Sequence, residues 1–243
     1  MMKSLTFANR ITKELLRDPL TIFFGLGFPL VLLVLLSVIQ ANVPVSLFEI
    51  ENLAPGITIF GLSFMSLFSA TIISRDRSSS FLQRLYTTPL TPLDFILGYT
   101  LPIIPFSVAQ CLICYIFAIF IGLEITINIL FAILFIIPIS VLYIGLGLLC
   151  GSVLNDKQVG GICGALLTNL SAWLSGVWFD LELVGGAFKN IAHLLPFVHA
   201  VEVEKAILAG NFSGIFPHFW WVLGYAVIIF SAAVLLFLKQ MKK

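Results

Sequence analysis

Few side chains in this sequence are spaced for bond-making chemistry. Cys111 and Cys114 have the C-x-x-C spacing of a redox or zinc pair, because one helical turn brings two such thiols to one face. They lie inside a long apolar run, as do Cys150 and Cys163, and thiols there read as small packing groups. No disulfide framework follows. His193, His199 and His218 stand at spacings that match no metal-ligand motif. His218 adjoins Trp220 and Trp221, a setting for an interfacial anchor. There is no G-x-S-x-G nucleophile turn, no G-x-x-x-x-G-K-[ST] and no Gly-Lys dipeptide anywhere. The chain therefore has no phosphate loop of its own, and no catalytic or metal-ligating residue is assigned.

The elements that must carry any function are helices in lipid. Of 243 residues, 60% are hydrophobic and 10% charged, whereas a soluble domain carries about a quarter charged residues. Such a composition cannot cover a water-facing surface, so the bilayer is the solvent. No basic stripe with interleaved aromatics occurs, which excludes a nucleic-acid partner.

Six runs are long enough to cross about 30 Å of hydrocarbon: residues 20–39, 54–73, 95–122, 127–150, 159–179 and 218–238. None has Asp, Glu, Lys or Arg in its interior, which argues against a relay of buried charges. Ahead of them, residues 1–19 form an amphipathic interfacial helix. Leu5, Ala8, Ile11, Leu15 and Leu16 share one face, and Arg10, Lys13, Glu14 and Arg17 lie on the remainder. This start is not a secretory signal, since no A-x-A site follows the first apolar run. With the amino terminus inside, Lys189 and Lys205 are the only basic residues on outer segments. The positive-inside rule then places both termini in the cytoplasm.

Pro102, Pro105 and Pro138 predict kinks in the third and fourth runs. Gly147 with Gly151, and Gly160 with Gly164, have the small-residue spacing that lets helices approach. Residues 180–217 predict a re-entrant or interfacial pair of short outer helices, 183–195 and 197–208, broken at Pro196. The expected fold class is an all-α polytopic membrane protein, one transmembrane domain over residues 1–243. It has six transmembrane helices, the amphipathic start and the outer pair before the last span.

Between the second and third runs, residues 74–94 hold the longest polar interruption on the cytoplasmic side, Arg75 to Pro92, RDRSSSFLQRLYTTPLTP. Ser78–Ser80 can cap a short helix through Phe81, Leu82, Gln83, Arg84, Leu85 and Tyr86, ended by Thr88-Pro89. Tied to a span at each end, such a helix suits force transfer from a soluble partner. A solvated loop whose arginines only set topology is the alternative.

Asp76-Arg77, Leu82, Arg84-Leu85 and Thr88-Pro89-Leu90-Thr91-Pro92-Leu93 resemble the segment after the second span in permeases of the ABC type-2 transporter family, of the multidrug or antibiotic exporter kind. Leu194-Leu195-Pro196-Phe197 and the helix to Leu208-Ala209-Gly210 resemble its segment before the last span. The chain departs from the family where Ser78, Ser79 and Ser80 replace a second acidic-arginine pair and a glycine.

The resemblance implies a non-enzymatic permease in the cell membrane, assembled with a second permease copy and two ATP-binding subunits. ATP and magnesium would be held by those subunits and none by this chain. The implied coupling residues are Arg75, Asp76, Arg77, Phe81, Leu82, Arg84, Leu85, Thr88 and Pro89, with the amphipathic start beside them. The second and fifth spans would line the path, with Ser63, Ser66, Thr168, Asn169 and Trp173 as candidates. Interhelical hydrogen bonding is the plainer role for such small polar groups. An uncharged lining suits a hydrophobic or amphiphilic cargo: a drug, a peptide antibiotic or a lipid-like compound. A polysaccharide-exporting relative and a nucleotide-independent secondary carrier are the alternatives.

Overall fold

A computed structural model describes residues 2–43, 48–79 and 91–241. Among these residues the chain is all helical, with no strand. Helix α1 (Met2–Arg17) lies ahead of α2, which runs over Pro19–Asn42 with a π-helical stretch at Phe23–Gly27. The next are α3 (Ile50–Ser78), α4 (Pro92–Thr100), α5 (Ile103–Ile121) and α6 (Asn128–Val153). Helix α7 is continuous through Asp156–Val159, Gly160–Leu167 and Thr168–Leu174. Then come α8 (Leu181–Val184), α9 (Gly186–Leu194), α10 (Pro196–Leu208) and α11 (Phe212–Met241).

Among the described residues, five helical stretches are long and apolar enough to cross a membrane: α2, α3, α4 with α5, α6, and α11. The sequence predicts a sixth at residues 159–179. That run is helical, but Gly160–Leu167 is π-helical and the helix stops at Leu174. Beyond it the chain turns at Gly176, whose φ of 73° is open to glycine at little cost.

Helix α3 is the axis of the bundle. Its span is buried almost throughout, whereas α2 and α11 leave most of theirs uncovered. It packs most extensively on α6, and two glycines of α6 explain how closely. A Cβ on Gly147 would stand 2.5 Å from the Ser66 carbonyl oxygen, and one on Gly151 2.8 Å from that of Ala70. The second predicted pair differs: Gly160 faces open space and Gly164 meets only Leu67. A ladder of rings seals the other side of α3. Phe64 stacks on Phe24 at 5.8 Å, and Phe68 meets Phe106 edge-on at 6.1 Å.

Proline effects are uneven. The third run breaks at Leu101–Pro102 into α4 and α5, but α6 continues through Pro138 and α3 through Pro55. Helix α4 starts with a capping box, Thr91 and Asp94 each satisfying the other's backbone N–H.

Helix α1 buries Phe7, Ala8, Ile11 and Leu15, while Leu5 and Leu16 are exposed. The expected apolar face is thus rotated toward Phe7, which meets Tyr99 at 4.9 Å and Phe95 at 5.9 Å. Gly98 makes room for it; any Cβ there would collide with the Phe7 ring. Two short helices, α9 and α10, meet at Pro196, which opens α10 where its missing N–H costs nothing.

Candidate coupling site

The helix of the second run does not stop at the apolar boundary near residue 73; it carries Arg75, Asp76 and Arg77 on to Ser78. Ser78 and Ser79 close it, their hydroxyls donating to the carbonyls of Arg75 and Asp76. Ser78 therefore ends a long helix, and the short helix expected beyond it, with Ser80, lies outside the described residues. Phe81, Leu82, Arg84, Leu85, Thr88 and Pro89 lie outside the described residues.

The chain itself engages all three charged residues at this helix end. Asp76 is 3% exposed and accepts both arms of the Arg10 guanidinium, at 2.7 Å each. The Tyr99 hydroxyl donates to the same carboxylate at 2.9 Å. Parallel N–H···O bonds from one planar guanidinium are the strongest common form of charge pairing. They join α1, α3 and α4 at a single carboxylate. Hydrogen bonding to Asp76 holds the Arg10 guanidinium above its ordinary range, against the opposing effect of burial. Glu14 lies 3.2 Å from Arg10, and burial raises its carboxyl although Arg10 pulls it down.

Arg77 donates to the Gly151 carbonyl at 2.8 Å. This carbonyl is in the last turn of α6, where unpaired oxygens and the helix dipole favour a cation. Arg75 pairs with Asp156 at 3.4 Å across the start of α7, with both side chains about half exposed, and Ser74 donates to the same carboxylate at 3.5 Å. Three consecutive residues of α3 thus reach α7, then α1 with α4, then α6. Lys13 and Arg17 are exposed on α1 and line a surface cleft with Arg10 and Glu14.

The candidate path residues fall into two groups. Ser63 and Ser66 are buried; Ser63 donates to the Phe60 carbonyl at 2.7 Å and Ser66 to the Tyr143 carbonyl at 2.6 Å. Thr168 donates to the Cys163 carbonyl at 2.9 Å, five residues back along the π-helical turn. Asn169, exposed, bonds the Ala165 carbonyl at 2.7 Å, and Trp173 is 49% exposed. With Ile162 and Leu166 they form one uncovered stripe along α7.

Sequence reasoning missed the partners. Tyr99 sits in an apolar run and gives no signal. Asp156 could have been found as the one acid opposite the arginines in the short connection before α7. The inventory of charges in the runs also missed Glu204. Its carboxyl group is fully buried and accepts from the Tyr115 hydroxyl at 2.6 Å, although residue 204 falls outside the apolar runs. Cys111 and Cys114 are buried and Cys150 is partly so; all four thiols are free. Among the described residues, no three His, Cys, Asp or Glu side chains are grouped to hold a metal ion.

A family model described as ABC-2 type transporter matches residues 4–209. Its match begins in α1 and ends just past α10, so it includes every residue of the Arg10, Asp76 and Tyr99 cluster. A search of curated proteins found none that matches this chain.

Proposed function

From the premise that the chain belongs to the ABC-2 type transporter family, a family of membrane transport components, we propose that it is the permease of an ATP-driven exporter. In this reading it crosses the cell membrane six times, α7 supplying the sixth crossing, with both termini in the cytoplasm. Two copies, or one copy and a homologue, assemble with two separate ATP-binding subunits. Those subunits supply the energy of ATP hydrolysis, with magnesium, and this chain supplies the path.

The observation that carries the reading is the three-way contact of Arg10, Asp76 and Tyr99. A partner pressing on α1 or on the segment after α3 moves a single rigid unit, because the interfacial helix and two spans share one carboxylate. Arg75 and Arg77 extend that unit to α7 and α6. Motion at the cytoplasmic ends is then passed along α3, whose close packing on α6 leaves no slack. The stripe of Ile162, Leu166, Asn169 and Trp173 on α7 would face the centre between two permeases. Apolar with one amide, it suits a hydrophobic or amphiphilic cargo.

The test is gentle purification of the tagged chain from its native membrane, followed by identification of co-purifying proteins. The expected result is an ATP-binding subunit that is lost when Phe81, Leu82 and Arg84 are together changed to alanine. Recovery of the chain alone, with cargo movement intact in vesicles lacking nucleotide, would overturn the proposal.

A further inference from the structure

The chain has three histidines, and the fold brings all of them to one place, on the face opposite the Arg10–Asp76 contact. His193 ends α9, His199 lies in the first turn of α10 and His218 in the first turns of α11. The Nδ1 atoms of His199 and His218 are 2.8 Å apart. The Nε2 of His199 is 2.8 Å from the His193 carbonyl oxygen. Trp221 lies flat on the His199 ring, 5.4 Å between centroids and 6° from parallel.

These contacts determine where the hydrogens are. A carbonyl only accepts, so the Nε2 of His199 carries hydrogen. When that ring is neutral, its Nδ1 is a lone pair and the Nδ1 of His218 must donate to it. A first added proton has a vacant place on the Nε2 of His218, whose side chain lines a cavity of about 740 Å³. The bridge survives and becomes charge-assisted. A second proton can go only to the Nδ1 of His199. It would then point one N–H at another and set two cations in contact, so the bridge must part.

Two of the surrounding acids are paired with cations. On α10, Lys205 pairs with Glu202 at 3.5 Å; on α8 and α9, Glu182 pairs with Lys189 at 2.5 Å. Asp180 accepts from the backbone of Glu182, and the Tyr225 hydroxyl of α11 donates to the Leu194 carbonyl. From α3 and the end of α7, the cavity receives Asn52 and Ser175, neither of which titrates. The His193 ring adds a third imidazole, 6.2 Å from His199. Burial, the largest influence, holds His199 below the ordinary imidazole range; the His193 carbonyl and Glu202 oppose it, and the neighbouring imidazoles reinforce it.

We infer that the His199–His218 bridge is an acid-released latch between the outer helical pair and α11. It is closed with no added proton or one, and opened by the second. The expected consequence of acidification is that α10 parts from the first turns of α11, where Trp221 now covers His199.

The experiment uses the full chain in phosphatidylcholine nanodiscs with ¹⁵N-labelled histidine. Its three imidazoles are assigned through the variants His193→Gln, His199→Gln and His218→Gln. At alkaline pH, His199 should hold its hydrogen on Nε2 and His218 on Nδ1. On acidification the two rings should take up protons in steps more than about tenfold apart in proton concentration. In a chain whose other three tryptophans are phenylalanine, Trp221 emission should change with the second step and not the first. In His218→Gln, the low step of His199 should move upward. Both rings titrating together near the ordinary histidine value would overturn the latch, as would Trp221 emission indifferent to the second step. Should a variant not fold, the tautomers of the unmodified chain still decide, because hydrogen on the Nδ1 of His199 at alkaline pH contradicts the bridge.

Discussion

Asp76 and Arg10 are 66 residues apart in sequence and face each other through two 2.7 Å hydrogen bonds. The Asp76 side chain is almost wholly enclosed, while that of Arg10 is 37% exposed. Asp76 therefore depends on this partner more than Arg10 does. A buried carboxylate left without its cation keeps its desolvation cost, whereas an arginine released at the surface is hydrated again.

Removing the guanidinium should thus destabilise more than a surface ion pair would. Breaking a fully buried pair costs about 3–5 kcal/mol; the partial exposure of Arg10 brings the expectation for Arg10→Ala to about 2–3 kcal/mol. Thermal unfolding in detergent of Arg10→Ala, Asp76→Asn and the double variant gives the coupling. A value below about 0.5 kcal/mol would show that the contact acts only as an exposed pair.

Arg75 and Arg77, neighbours but one on α3, should behave differently. Arg75 pairs with Asp156 where both are about half exposed, so Arg75→Ala should change stability by about 0.5 kcal/mol or less. Arg77 donates to a carbonyl in the last turn of a helix, and Arg77→Ala should cost about 1.5–3 kcal/mol. Equal effects in the same unfolding assay would contradict this difference.

The glycines of α6 give a steric test. Gly147→Val and Gly151→Val place side chains against backbone carbonyls of α3, and overpacking of this kind costs roughly 1–3 kcal/mol or more. Gly160→Ala enters open space and should be neutral or slightly stabilising, since alanine favours helix over glycine. Expression level and monodispersity in detergent report on all three. A well-behaved Gly147→Val would show that α3 and α6 can separate.

Glu204 predicts a pH dependence. It lies on α10, outside the spanning helices, and burial raises its carboxyl from the ordinary 4.5 to about 8, with the Tyr115 hydrogen bond pulling the other way. The folded state then holds a proton that the unfolded state releases. Between about 4.5 and about 8 the folded chain binds more protons, so this contribution to stability is full below that window and declines as pH rises through it. Glu204→Gln keeps an acceptor for Tyr115 and should flatten the profile. A pH profile that is the same in Glu204→Gln would rule out this origin.

Composition and periodicity dictated the broad plan. The bilayer as solvent, an amphipathic first helix, the long apolar helices and the break at Pro196 all follow from local rules. A backbone in lipid must satisfy its own hydrogen bonds within each helix, so helix content is readable segment by segment. The pairing of Gly147 with Gly151 was legible for the same reason, as a repeat within one helix.

What the tertiary structure decided is every contact between residues far apart in sequence. Asp76 looked like part of a polar loop because the apolar run ends before it; only the placement of Arg10 and Tyr99 makes a buried carboxylate affordable there and lets the helix continue. Three histidines at unhelpful spacings became a cluster because α9, α10 and α11 fold back on one another. Local sequence sets the conformation of each helix, but electrostatic and steric pairing between helices depends on distances that no single stretch contains.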